Sequence, residues 1–175
     1  TIMFMLQYRA AYFYGVVSTA LLCALFVSQG VFALAIFNGV LTLSLIYGYF
    51  RWGQDGKAID VSMIDVSGWV GYLSFFLIVW IVGGWMLVGV VSTTDLVLDA
   101  ASATAQLMLD NKKWENWIVW IVINIFSIAF LWQQGLALMA VQFVFFTINA
   151  IIALCRWYGD MTKGVDSGLD RRGHS

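Results

Sequence analysis

Trp117, Trp120 and Asn124 stand three and four residues apart in the stretch WENWIVWIVIN, residues 114–124, and Ser127 continues the series. On a helix this spacing puts two indoles, an amide and a hydroxyl on one face. Counted from Lys112 and Lys113, Trp117 lies about 5 Å and Asn124 about 15 Å along the axis at the helical rise per residue. Trp114 and Trp117 fit the aromatic belt of a membrane boundary, whereas Trp120 and Asn124 lie too deep for it. An amide at that depth bonds another helix or faces a wet cavity. Asn38, Thr42, Gln106, Gln142 and Asn149 reach a similar depth from the opposite edge. Each alone is glue between helices. Together with the indole faces they form a cage of amide hydrogen bonds and flat π surfaces, suited to an uncharged-polar or delocalised-cation ring compound with hydroxyls. Asp95 and Asp99, one turn apart at the start of their helix, read first as caps favoured by the helix dipole. Their alternative reading is an anionic lure for a cationic solute.

The elements that must hold this cage are apolar. The chain of 175 residues is 62% hydrophobic, 17% aromatic and 11% charged, a composition that marks an integral membrane protein of the all-α, polytopic bundle type. Six apolar runs are legible: Ala10 to Ser28, Val31 to Phe50, Gly68 to Val91, Asp95 to Leu109, Trp114 to Leu131 and Leu136 to Leu154. Most match the roughly 20 residues that cross a hydrocarbon core. The Asp95 to Leu109 run is short and carries Ser102, Thr104 and Gln106, so it is expected to face other helices rather than lipid. No proline interrupts any run.

Arg9, Arg51, Lys57, Lys112, Lys113, Arg156, Lys163, Arg171 and Arg172 all fall on one side of this arrangement, and the turns on the other side hold no basic residue. By the positive-inside rule both ends of the chain are expected to be cytoplasmic. Shifting the chain by 105 residues superposes Gln29 and Gly30 on Gln134 and Gly135, Ala35 on Ala140, Thr42 on Thr147, and Arg51 and Trp52 on Arg156 and Trp157. Parallel copies of this kind imply a pseudo-twofold axis along the membrane normal. The organisation expected is therefore residues 1–52 as the second and third helices of a first repeat, 53–94 as a loop and linker helix, 95–157 as a second three-helix repeat, and 158–175 as a polar cytoplasmic tail that reads as disordered. A counterpart of the Asp95 to Leu109 helix is expected upstream of Thr1. The opening TIMFMLQYR lacks the pattern of a signal peptide.

Several function classes are excluded on the same residues. A net charge of −1 offers no basic surface for nucleic acid, and the one histidine, His174, sits in the tail, leaving almost no metal ligands. Cys23 and Cys155 lie in apolar runs as small hydrophobes, and no disulfide is expected. No buried histidine, mid-depth carboxylate pair or activated nucleophile supports an enzyme, so neither catalytic residues nor a cofactor are expected. The lysines lie outside the apolar runs, against a retinal photoreceptor. A membrane subunit serving only as a scaffold remains the structural alternative. Within the runs the acids expected are Asp95 and Asp99 alone, with no relay for protons or ions and no GxxxxGK[ST] loop for nucleotide-driven pumping.

The stretches ENWIVWIVIN, QQG, GLALMAVQF and CRWYG, with YFYGVVSTALL, QGVFALAIFN and IYGYFRW in the first half, closely resemble the PnuC-type vitamin transporters, whose fold resembles the sugar transporters called SWEETs. The likeness spans nearly all of residues 8 to 158, and the Trp117, Trp120 and Asn124 motif is its most specific part. It implies seven helices arranged as three, one and three, with the first absent from this chain. It further implies uptake of nicotinamide riboside across the bacterial cytoplasmic membrane by facilitated diffusion, trapping by a soluble nucleoside kinase, and a homotrimer. Relatives of the same kind carry thiamine or deoxynucleosides. By motif, Trp117, Trp120 and Asn124 correspond to the substrate-binding face, and Asn38, Gln106 and Gln142 fall on positions polar in the family.

Overall fold

A computed structural model describes residues 2–30, 32–53, 60–86, 89 and 92–172, with side chains throughout except at 33, 34 and 164–172. Among these residues it is all-α: α1 (Ile2–Met5), α2 (Ala10–Ser28), α3 (Phe32–Arg51), α4 (Val66–Met86), α5 (Thr93–Asp110), α6 (Asn116–Gln133) and α7 (Ala137–Arg172). The described extended pairing is one isolated bridge between Ser62 and Lys113. By length and composition α2, α4, α6 and the Ala137–Lys163 part of α7 can each cross a membrane. The protein is a polytopic helical membrane protein. Their outward faces carry Phe13, Leu21, Val70, Ile78, Ile125, Phe126 and Phe145, all exposed apolar side chains that a bilayer would cover. The less apolar α5 has a clear inward stripe, burying Ala100, Thr104, Ala105, Met108 and Leu109, and packs against α3, α4 and α6. Gly83 and Gly84 of α4 admit the Leu96 side chain of α5, the small-residue approach expected between membrane helices.

The helix ends follow local rules. Ser92 caps α5 by accepting from the Asp95 amide at 3.1 Å while its hydroxyl donates to the Asp95 carboxylate at 2.7 Å. Asp65 accepts from the Gly68 amide at 3.0 Å and starts α4 two residues before the expected Gly68. The expected end of that run at Val91 lies outside the described residues. Trp114 stands before α6 rather than in it, because its amide is committed to the Ser62 carbonyl. The helix α7 continues from the expected Leu154 end through Gly159 to Arg172, with no proline to break it. The polar stretch read as a disordered tail is therefore helical through Arg172, and His174 lies outside the described residues. The carboxylate of Asp110 is a correction to the expected set of acids: α5 extends one residue past Leu109, and Asp110 is fully buried at its end.

The 105-residue offset reappears in the geometry. Gly30 and Gly135 both take positive φ, 74° and 75°, and donate to Val27 and Trp132 to close α2 and α6. Gln7 and Lys112, 105 positions apart, also have positive φ, 60° and 49°. Around Gln7 the amides of Gln7 and Tyr8 donate to Phe4 and Met3, and around Lys112 those of Lys112 and Lys113 donate to Leu109 and Met108. The last turn of α5 and the short α1 thus carry the same cap. At the end of the bundle near these caps, Tyr12 meets Trp52 edge-on at 5.1 Å and Trp117 meets Trp157 edge-on at 5.4 Å. Trp52 and Trp157 join the two pairs at 5.9 Å. Each of these last two indoles donates across the bundle, Trp52 to the Leu109 carbonyl at 3.3 Å and Trp157 to the Met5 carbonyl at 3.2 Å.

Candidate functional site: an internal cavity between α5, α6 and α7

A cavity of about 520 Å³ opens between α5, α6 and α7, with Phe4 of α1 also in its lining. From α6 come Trp117, Trp120, Asn124 and Ser127, the stripe anticipated from spacing, with Ile123 beside them. From α5 come Asp95, Leu98, Asp99, Ser102 and Gln106, whose steps of three and four residues also define one face. Apolar side chains of α7, including Met139, Phe143 and Phe146, complete the wall. Four of the eight anticipated residues are brought together here: Trp117, Trp120, Asn124 and Gln106.

Two of these residues carry polar groups without a partner among the described residues. Trp117 is 1% exposed and its Nε1 has no hydrogen-bond partner. Asn124 is 3% exposed, lines the cavity and makes no side-chain hydrogen bond among the described residues. A buried donor or acceptor left unmade costs roughly 1 to 3 kcal/mol, which a complementary solute would recover. Gln106 is half-buried and already oriented: its Nε2 donates to Asp110 Oδ1 at 2.8 Å, leaving its Oε1 as the acceptor. Asp110 in turn accepts from Tyr12 Oη and Ser44 Oγ, each at 2.9 Å. This network ties the cavity wall to α2 and α3. Lys112, just beyond α5, lies 4.9 Å from the Trp52 ring centre, and burial holds its ammonium below the ordinary lysine value against the opposing pull of Asp60 and Asp160.

The other four anticipated residues lie elsewhere. Thr42 donates to the Asn38 carbonyl at 2.8 Å and shares a 2.7 Å hydroxyl contact with Thr19, so it fastens α3 to α2. Asn38 is buried on the same helix, away from the cavity lining. Gln142 is exposed on α7. Asn149 lines a separate, largely apolar groove between α1 and α7, where its Nδ2 has no partner. Asn124, Asn38, Thr42, Gln106, Gln142 and Asn149 share a depth along their helices, and the direction around the axis separates them. The aromatic belt suits Trp114, half-buried and 5.4 Å from Tyr158, better than Trp117, which belongs to the buried cluster. Sequence reasoning missed Phe4, Phe143 and Phe146, which carry no signal beyond apolarity. It also missed Asp110, whose spacing of four from Gln106 was legible. Cys23 and Cys155 are both free thiols.

The fold and this cavity define a multi-pass helical membrane protein with a solute-sized cavity between its helices. Residues 1–159 match the nicotinamide mononucleotide transporter family, and the chain belongs to that family. A stretch of 63 residues, 36% of this chain, is 27% identical to the nicotinamide riboside transporter PnuC of Escherichia coli (strain K12), and the Shigella flexneri protein of the same name matches equally. That stretch spans 26% of the length of those relatives. The crystal structure of the vitamin B3 transporter PnuC is similar in fold, with a TM-score of 0.67 at 18% identity over 93% of this chain and 78% of that one.

Proposed function

We propose that the protein carries nicotinamide riboside into the cell by facilitated diffusion, through the cavity between α5, α6 and α7. The observation that supports this most is the meeting of two indoles, Trp117 and Trp120, with the unpartnered Asn124 amide in the lining of one cavity. Indole faces attract a delocalised pyridinium, and the amides suit the ribose hydroxyls and carboxamide. The family's description names the mononucleotide, but the chemistry of the walls favours the riboside. The described lining contains Asp95 and Asp99 and no Lys, Arg or His, so a phosphate dianion would meet like charge with no cation to pair it.

The matching caps and aromatic pairs at an offset of 105 residues support two parallel copies about an axis along the membrane normal, divided as 1–52 and 95–157 with a linker between. The end carrying Arg9, Arg51, Lys112, Lys113 and Arg156 then faces the cytoplasm of a bacterial inner membrane, by the positive-inside rule. There the cluster of Phe4, Tyr12, Trp52, Trp117 and Trp157 stands between the cavity and the cytoplasm. Net accumulation comes from a soluble kinase that phosphorylates the entering nucleoside, and the assembly is a homotrimer.

Binding of radiolabelled nicotinamide riboside to the purified protein tests the substrate. Thiamine is expected to displace the label at least ten-fold less well than unlabelled riboside, because its single hydroxyl leaves more of the cavity's polar groups unpaired. The mononucleotide is expected not to displace it. Thiamine winning by ten-fold would assign the cavity to that vitamin, and displacement by the mononucleotide as strong as by the riboside would contradict the charge argument.

A further inference from the structure

We propose that Asp99 is the counter-charge by which this cavity selects a cationic ring over an uncharged ring of the same shape. The inference rests on reading the cavity as the carrier's binding site and adds a specificity-determining residue to it.

The two acids of α5 are not equivalent. Asp95 is satisfied within its helix cap by the Ser92 hydroxyl at 2.7 Å. Asp99, one turn deeper, is half-buried in the cavity wall and makes no hydrogen bond or ion pair among the described residues. A carboxylate partly withdrawn from water is costly unless a cation or donors compensate it. Neighbouring lining residues on its own face are Asp95 and Leu98 toward the helix start and Ser102 and Gln106 beyond it, and the Gln106 amide nitrogen is already given to Asp110. Across the cavity stand Trp120 and Asn124, the latter 3% exposed and unpartnered among the described residues. With no basic residue in the described lining, a cationic solute would supply the compensating charge. A pyridinium between an indole face and a carboxylate meets both needs: the ring quadrupole and the fixed anion attract the same delocalised positive charge. An uncharged ring keeps the stacking and loses the ion pair.

The test compares nicotinamide riboside with benzamide riboside, its uncharged isostere in which a ring carbon replaces the pyridinium nitrogen, by competition binding to the purified protein. The wild type is expected to prefer the cation by at least ten-fold. Asp99→Asn is expected to lower affinity for the cation about ten-fold while leaving the uncharged isostere within two-fold, and Asp99→Glu is expected to keep most of the preference. Equal affinity of the wild type for the two compounds, or equal weakening of both in Asp99→Asn, would overturn the role of Asp99 and leave the cavity's assignment standing. If the wild type bound neither compound, the assignment itself would fall and this inference with it.

Discussion

Trp120→Ala is expected to weaken binding of nicotinamide riboside about ten-fold, while Trp114→Ala changes it less than two-fold. Both indoles are half-buried near the start of α6, so loss of apolar area alone would affect them comparably. Their surroundings differ. Trp120 lines the cavity, whereas Trp114 packs on Tyr158 outside it. Stacking and cation–π attraction are each worth on the order of 0.5 to 2 kcal/mol, and about 1.4 kcal/mol corresponds to the ten-fold loss. Titration of the purified variants with labelled riboside checks it. Equal losses at the two positions, or none at Trp120, would favour a membrane-belt role for both.

Gly48→Ala is expected to be among the most damaging single changes in the protein. A methyl group there would overlap the Tyr12 ring and the Asp110 carboxylate. Neither can step aside: Tyr12 is fully buried, donates to Asp110 and is held edge-on by Phe4 at 4.9 Å and by Trp52. Overpacking of a closed site costs typically about 1 to 3 kcal/mol, and here it also disturbs the carboxylate that orients Gln106 at the cavity. Thermal unfolding in detergent should show a clear fall in midpoint, with weaker riboside binding in the fraction that folds. Gly71→Ala is the matched control, since nothing lies within 4 Å of the added carbon. An unchanged midpoint in Gly48→Ala would contradict the packing described for α2, α3 and α5.

Much of this is legible in the sequence. The run Ala10 to Ser28 coincides with α2, because hydropathy marks where it begins and a Gln-Gly pair with a left-handed glycine marks where it stops. The α6 stripe was legible because periodicity fixes which residues share a face. Two kinds of information were not available. Rotation of α3 and α7 about their own axes is set by tertiary packing, so Asn38, Thr42, Gln142 and Asn149 could be given a depth but not a direction. Long-range polar networks are silent in a linear string: nothing near Tyr12 or Ser44 announces that both hydroxyls converge on Asp110. The 105-residue offset carried more than its few identities suggested. Tyr12 and Trp117 occupy equivalent positions and make equivalent contacts with Trp52 and Trp157 although they are different residues.

The central claim is that this cavity lets nicotinamide riboside equilibrate across the membrane without an energy source. The six apolar runs offer no basic residue or histidine to relay charge, and Asp99 and Asp110 lie near opposite ends of one helix with no described chain of titratable groups between them. Uptake of labelled riboside into liposomes containing the purified protein measures it most directly. The label should enter faster than into empty liposomes, level off at equal concentrations inside and out, and accumulate further only when a nucleoside kinase and ATP are enclosed. Uphill accumulation driven by an imposed proton or sodium gradient, with no kinase present, would contradict the claim.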